Sequence, residues 1–203
     1  MNTHLLENIR NVVLQGISEE RKLVLQLLID FIQDKVDNQE IVNINFICTH
    51  NSRRSHFSQI WAQTVASYFK IPNVYCYSGG TESTALFPKV AATLADEGFQ
   101  ILKLSGGENS VYAVKYDENE VPVIGFSKKY DDAFNPISGF AAVMTCSQAD
   151  KECPFIAGAE KRISIPFEDP KLSDGTSQQT KIYQERSLEI AGEMLYVFSK
   201  INN

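Results

Sequence analysis

Apolar positions along this chain follow two different periods. Between residues 3 and 37 they recur every three or four places, first as Leu5, Ile9, Val12 and Val13, then as Val24, Leu28, Phe31 and Ile32. That spacing lines up one face of a helix, so the segment reads as two helices broken near residues 15–18. The polar run DNQE at 37–40 closes it, and residues 1–38 form an N-terminal helical extension. From residue 41 onward the pattern alternates between strand and helix. IVNINFI is a strand, and the next helix carries Phe57, Ile60, Trp61, Val65, Tyr68 and Phe69 on one face. NVYCYS is a second strand, ended by Gly79 and Gly80, and Leu86, Val90, Ala91, Leu94 and Ala95 make a helix. Gly98 can cap that helix because glycine tolerates positive φ. Strand–helix–strand–helix order implies right-handed crossovers and a parallel sheet.

The middle of the chain breaks this rhythm. SVYAVKYDENEVPVIGFSK reads as two strands around the turn DENE, a β-hairpin whose Pro122 belongs on an edge strand. FAAVMTC is a further buried strand, KRISIPF a shorter one, and Ile190, Ala191, Met194, Leu195 and Phe198 mark a closing amphipathic helix. The fold expected is α/β, a three-layer sandwich with a central, mainly parallel sheet over residues 41–203. The hairpin is inserted at about residues 108–130, and the helical extension precedes the whole.

Composition narrows the classes of function. At 203 residues the chain can bury a full α/β core, and its 43% apolar and 22% charged residues are ordinary for a soluble protein. A net charge of −6 with scattered Lys and Arg argues against a nucleic-acid or anionic-membrane partner. No apolar run approaches the roughly 20 residues that span a bilayer, and MNTHLLENIR lacks the features of a secretory signal. The expectation is a cytoplasmic protein. Four cysteines, at 48, 76, 146 and 153, are too few for a disulfide scaffold, so each is judged by its surroundings.

The chemistry concentrates in INFICTHNSRRS, residues 44–55. Cys48 ends a strand directly before a helix, on the sheet edge where open parallel sheets bind ligands. A helix start offers unpaired N–H groups and partial positive charge. The backbone of Thr49, His50, Asn51, Ser52, Arg53 and Arg54 could curl into a nest around a tetrahedral oxyanion. Arg54 would add a planar fork for two of its oxygens. The same positive field favours a thiolate, so Cys48 is a candidate nucleophile and Ser55 a candidate hydrogen-bond donor to its sulfur. The alternative is a buried cysteine ending a strand beside solvated arginines. No Gly-Lys-Ser/Thr follows, so the loop is not a nucleotide P-loop.

CTHNSRRS resembles the phosphate-binding loop of low-molecular-weight protein tyrosine phosphatases and of the thioredoxin-coupled arsenate reductases built on the same fold. Their usual loop reads Cys-x-Gly-Asn-x-Cys-Arg-Ser. Cys48, Asn51, Arg54 and Ser55 match, while His50 replaces the glycine and Arg53 the second cysteine. VYCYSGGTES and LFPKVAATLADEGF also resemble the family, and the similarity covers most of residues 41–195 apart from the hairpin.

CSQADKECP places Cys146 at the end of a strand, on the same edge as Cys48, and Cys153 seven residues later. If the stretch is one helix, its thiols start about 10 Å apart, and pairing them demands partial unwinding. By itself the pattern fits one buried and one incidental surface thiol at least as well as a working pair. Zinc is a rival use, weakened by the wide spacing and by the absence of a nearby histidine. The stretch also resembles the redox segment of the arsenate reductases. Asp169, in PFEDP beside Glu168, is a turn starter on its own terms, and the resemblance makes it the general acid or base. Cys76 reads as core, His4 and His56 have no partner visible in the sequence, and Asp131 and Asp132 read as a solvated loop rather than a metal site.

The resemblance implies an arsenate reductase in which Cys48 attacks bound arsenate, Cys146 then Cys153 relay disulfides, and thioredoxin is the reductant. No metal or organic cofactor is required. Two alternatives stay open: a phosphatase using Cys48, Arg54, Ser55 and Asp169 through a phosphocysteine, and an oxyanion-binding module without turnover.

Overall fold

A computed structural model describes residues 1, 3–12 and 16–202; Val13 of the expected first helix and Gln15 of the expected break lie outside them. In chain order the elements are α1 (Thr3–Val12), α2 (Glu19–Asp37), β1 (Val42–Cys48), α3 (Arg54–Tyr68), β2 (Val74–Gly80), α4 (Pro88–Asp96) and β3 (Gln100–Lys103). Then follow β4 (Tyr112–Lys115), β5 (Val123–Gly125), β6 (Phe140–Met144), α5 (Ser147–Glu152), β7 (Ala159–Ser164), a short 3-10 turn (Pro170–Ser173) and α6 (Gln179–Ser199). No helix among the described residues is long and apolar enough to cross a membrane.

Four strands pair in the order β2-β1-β6-β7, all parallel. Their side chains split between two faces by the two-residue period of a strand. Ile44, Phe46, Ala141, Val143 and Ile163 enter the larger core with Phe57, Trp61, Tyr183 and Phe198 from α3 and α6. Ile47, Ala142 and Met144 point to the opposite face, where they meet Ala149 of α5 and Ile156. Helices therefore cover both faces, the arrangement that lets a parallel strand such as β6 be apolar throughout. Helices α1 and α2 add to the larger core through Leu5, Ile9, Leu25, Leu28 and Ile32. Ser18 caps α2 by accepting from the Arg21 N–H at 3.2 Å, with Glu19 and Glu20 in the first turn suiting the helix dipole.

The insertion is larger than a hairpin. β4 and β5 pair antiparallel, with β5 at the edge and Pro122 just before its first residue, but β3 joins them to make a three-stranded sheet β3-β4-β5. QILK alternates weakly and is mostly exposed, so hydrophobic periodicity does not reveal β3. The outer edge of β2 stays unpaired by other strands because side-chain amides close it. Gln63 donates to Val74 O at 3.0 Å and accepts from the Cys76 N–H at 2.9 Å. Gln59 donates to Cys76 O at 3.1 Å and Asn135 to Ser78 O at 3.1 Å.

A buried polar chain ties three helices together under the core. Trp61 Nε1 donates to Ser187 Oγ at 2.9 Å, and Ser187 donates to Glu97 Oε2 at 2.7 Å. Burial pushes the Glu97 carboxyl up to about 8, the Ser187 bond only partly offsetting it. A carboxyl whose pKa is raised by folding weakens the native state as pH climbs from its ordinary value of 4.5 through about 8. The wild-type unfolding free energy should therefore fall between pH 5 and pH 8 by on the order of a few kcal/mol. Glu97→Gln should remove that slope. Denaturant unfolding at the two pH values checks both statements, and equal slopes in the two proteins would refute them.

Candidate active site

β1 ends at Cys48 and α3 starts at Arg54, so five residues turn the chain from sheet to helix. Through this turn the carbonyls find partners outside the loop. Cys48 O accepts from the Thr81 N–H at 3.1 Å, and Thr49 O from the Glu82 N–H at 2.8 Å. His50 O receives the hydroxyls of Ser127 at 2.9 Å and Thr84 at 3.2 Å. Asn51 O receives His56 Nε2 at 2.9 Å, and Ser52 O the Phe87 N–H at 3.1 Å. Arg53 O opens the helix by accepting from the His56 and Phe57 N–H groups. The planarity of the peptide then turns the intervening N–H groups toward the concave side. Those of residues 49–53 meet no acceptor among the described residues. Asn51 takes a left-handed φ of 44° to complete the curl. A Cβ on Gly80 would lie 2.2 Å from Glu82 O and 2.7 Å from Asn51 N, so only glycine lets β2 pass this close to the loop.

Cys48 is buried, with its sulfur 3.2 Å from Ser55 Oγ. Asn51 Nδ2 donates to the same hydroxyl oxygen at 2.9 Å. An amide nitrogen cannot accept, so the Ser55 proton is left to point at the sulfur. Asn51 Oδ1 in turn accepts from the Lys128 N–H at 2.9 Å. His56 closes the network. A carbonyl oxygen only accepts, so Nε2 carries the proton given to Asn51 O, and Nδ1 faces Ser78 Oγ at 3.3 Å. Burial, and then the positive charge of Lys128, push the imidazole down to about 3. Near neutral pH it is therefore an uncharged brace. The Lys128 ammonium is buried against the rings of Phe126 and Phe134, 4.5 and 5.2 Å from their centroids.

Arg54 leans across the mouth of the loop. Its guanidinium donates to Phe167 O at 3.0 Å and to Asp169 Oδ2 at 2.6 Å. Asp169 also caps the 3-10 turn, accepting from the Lys171 N–H at 3.0 Å. The Arg53 side chain turns the other way. Its guanidinium leaves the loop, bonding Tyr183 OH at 2.5 Å and Asp174 Oδ2 at 2.6 Å over the ring of Phe87. Tyr183 of α6, Asp174 after the 3-10 turn and the ring of Phe87 before α4 draw it outward, so it ties the loop to its surroundings. The two adjacent arginines thus hold the two ends of the segment from Asp169 to Asp174.

The second thiol lies at the same edge. Cys146, just past β6, is buried with its sulfur 3.4 Å from Thr49 Oγ1. It also caps α5, accepting from the Ala149 N–H at 3.4 Å. Cys153 stands at the other end of that helix. Cys76 lies inside β2, where burial pushes its thiol up, away from reactivity. No group of three or more metal-ligating side chains occurs among the described residues. Sequence reasoning missed His56, although it directly follows the Arg-Ser pair. It also missed Ser127 and Lys128, which reach the loop from 77 positions away and leave no local signal.

No family model matches the chain. The arsenate reductase of Bacillus subtilis (strain 168) is 25% identical over 158 residues, covering 77% of this chain and 94% of that protein. That of Bacillus licheniformis is 24% identical over 161 residues, with the same coverage. Among solved structures, the low-molecular-weight phosphotyrosine phosphatase of Vibrio cholerae O395 superposes with a TM-score of 0.53 at 14% identity, covering 78% of this chain and 94% of its own. The low-molecular-weight protein tyrosine phosphatase of T. tengcongensis gives 0.53 at 13% identity, covering 79% and 99%. In sequence the chain is thus similar to arsenate reductases, and in fold to low-molecular-weight protein tyrosine phosphatases.

Proposed function

We propose that this chain reduces arsenate to arsenite, with Cys48 as nucleophile, Cys146 and Cys153 as a thiol relay, and thioredoxin as the source of electrons. The observation that carries the reading is the buried Cys146 sulfur at the rim of the oxyanion loop, 3.4 Å from Thr49 Oγ1. Hydrolysis of a phosphoester has no use for a thiol there. The arsenate reductase relatives support the same choice.

In this reading the inward N–H groups and Arg54 hold the oxyanion, and the Cys48 thiolate attacks arsenic. Asp169, already at the Arg54 guanidinium, protonates the departing oxygen. Cys146 then attacks the Cys48 sulfur. The sulfur–arsenic bond breaks with its electron pair left on arsenic, which leaves as arsenite, and a Cys48–Cys146 disulfide remains. Cys153 attacks Cys146, freeing the Cys48 thiolate, and the resulting Cys146–Cys153 disulfide passes to thioredoxin. Ser55, hydrogen-bonded to Cys48, stabilises that thiolate as it leaves. The thiols supply both electrons, so the cycle calls for a reducing compartment such as the cytoplasm.

With thioredoxin, its reductase and NADPH present, arsenate should drive steady NADPH loss by the wild-type protein. Cys146→Ser and Cys153→Ser should each bring that loss to the arsenate-free background, while hydrolysis of an aryl phosphate stays within about twofold, since neither thiol enters it. Wild-type protein that consumes no NADPH yet turns over the aryl phosphate would instead be a phosphatase. Asp169→Asn should lower kcat for the aryl phosphate by at least about 10²-fold, the usual loss of a general acid, with KM nearly unchanged. A steady-state comparison with less than a threefold drop in kcat would remove Asp169 from that role.

A further inference from the structure

Helix α5 separates the two thiols at its ends. Cys146 precedes its first residue and Cys153 follows its last. Seven steps at about 1.5 Å hold their Cα atoms about 10 Å apart, whereas a disulfide joins Cα atoms within about 7 Å. The pair cannot close while α5 stays wound. Six residues are far too few for a helix to persist on its own propensity, so something outside α5 keeps it wound.

β7 supplies that support through two side chains, chiefly Arg162. Arg162 Nε donates to Cys153 O at 3.0 Å. Its Nη2 donates to Asp150 O and, at 2.6 Å, to Asp150 Oδ1. Ser164 Oγ, two residues along the same strand, donates to Asp150 Oδ2 at 2.9 Å. The guanidinium thus occupies the carbonyls of the last turn, which a helix C-terminus otherwise leaves unsatisfied.

We propose that Arg162 is a positioning residue for the Cys146–Cys153 couple, a latch that holds the dithiol apart in the wound helix and thereby sets how readily the disulfide forms. Its use in turnover rests on the relay reading above; its effect on the couple does not. Closing the pair removes two electrons and two protons from the thiols and makes one sulfur–sulfur bond. With oxidised dithiothreitol as the oxidant, that reagent takes both and becomes the dithiol. The latch bonds belong to the wound, reduced form alone, so they favour the thiols. Losing them favours the disulfide.

The test uses the full chain with Cys48→Ser, so that the loop thiol cannot compete. The protein is equilibrated against mixtures of reduced and oxidised dithiothreitol, and the disulfide fraction is read by differential alkylation and mass. Arg162→Met should raise the equilibrium constant for disulfide formation about tenfold, a potential more negative by about 30 mV for two electrons. Arg162→Lys keeps the charge without the fork and should fall between. Asp150→Ala breaks the latch from the helix side, leaves the sheet intact, and should shift the constant the same way. It decides the matter if Arg162→Met does not fold. A constant unmoved in the folded variants overturns the latch even if the wild-type protein reduces arsenate. A shifted constant in a protein that never reduces arsenate upholds the latch and refutes the relay.

Discussion

Six consecutive carbonyls, from Cys48 to Arg53, are each held from outside the curve they form, and the candidate site depends on that. Aligned N–H groups repel one another as partial positive charges, so an inward nest is stable only if the opposite ends of its peptides are anchored. Here the anchors come from the segment after β2, from Ser127 of the insertion, from His56 and Phe57 of α3, and from Phe87 before α4. Each bond is worth about 1 kcal/mol net, but together they leave the backbone between 48 and 53 a single conformation. Donors fixed beforehand need no reordering to meet a ligand.

The parallel sheet explains why so much chemistry meets in one place. β1, β6 and β7 run side by side in the same direction, so the residues that follow each strand emerge at one edge. Cys48 ends β1, Cys146 follows β6, and Asp169 follows β7. Residues nearly a hundred positions apart become neighbours without any local signal linking them. Around this edge, the insertion takes over part of the support: Lys128 gives its N–H to Asn51, and Asn109 fixes Ser127 with a pair of bonds at 3.0 and 2.8 Å. The extension contributes too. Arg21 of α2 grips Glu193 of α6 at 2.6 and 2.8 Å and lies over the ring of Phe167, whose carbonyl receives Arg54.

Particular elements show which features were legible beforehand. The strand ending at Cys48, the strand ending in Gly79 and Gly80, and the helix stopped by Gly98 at φ +102° could be read because periodicity and glycine chemistry act over a few residues. β3 could not, since its pattern is mostly exposed and its pairing is entirely with β4. Nor could the outward turn of Arg53, which depends on Tyr183, Asp174 and Phe87 lying within reach.

By itself, then, the amino-acid order determined the alternation of strands and helices, the thiol–arginine–serine spacing of one loop and the resemblance that spacing carries. These are properties of neighbours along the chain, where the geometry of a few bonds decides the outcome. The tertiary structure alone decided that His56 stays neutral beneath Asn51, that a second sulfur rests against Thr49, and that Arg162 reaches the carbonyls of Asp150 and Cys153. Those depend on burial and on contacts across the sheet, and such quantities exist only once distant segments have packed together.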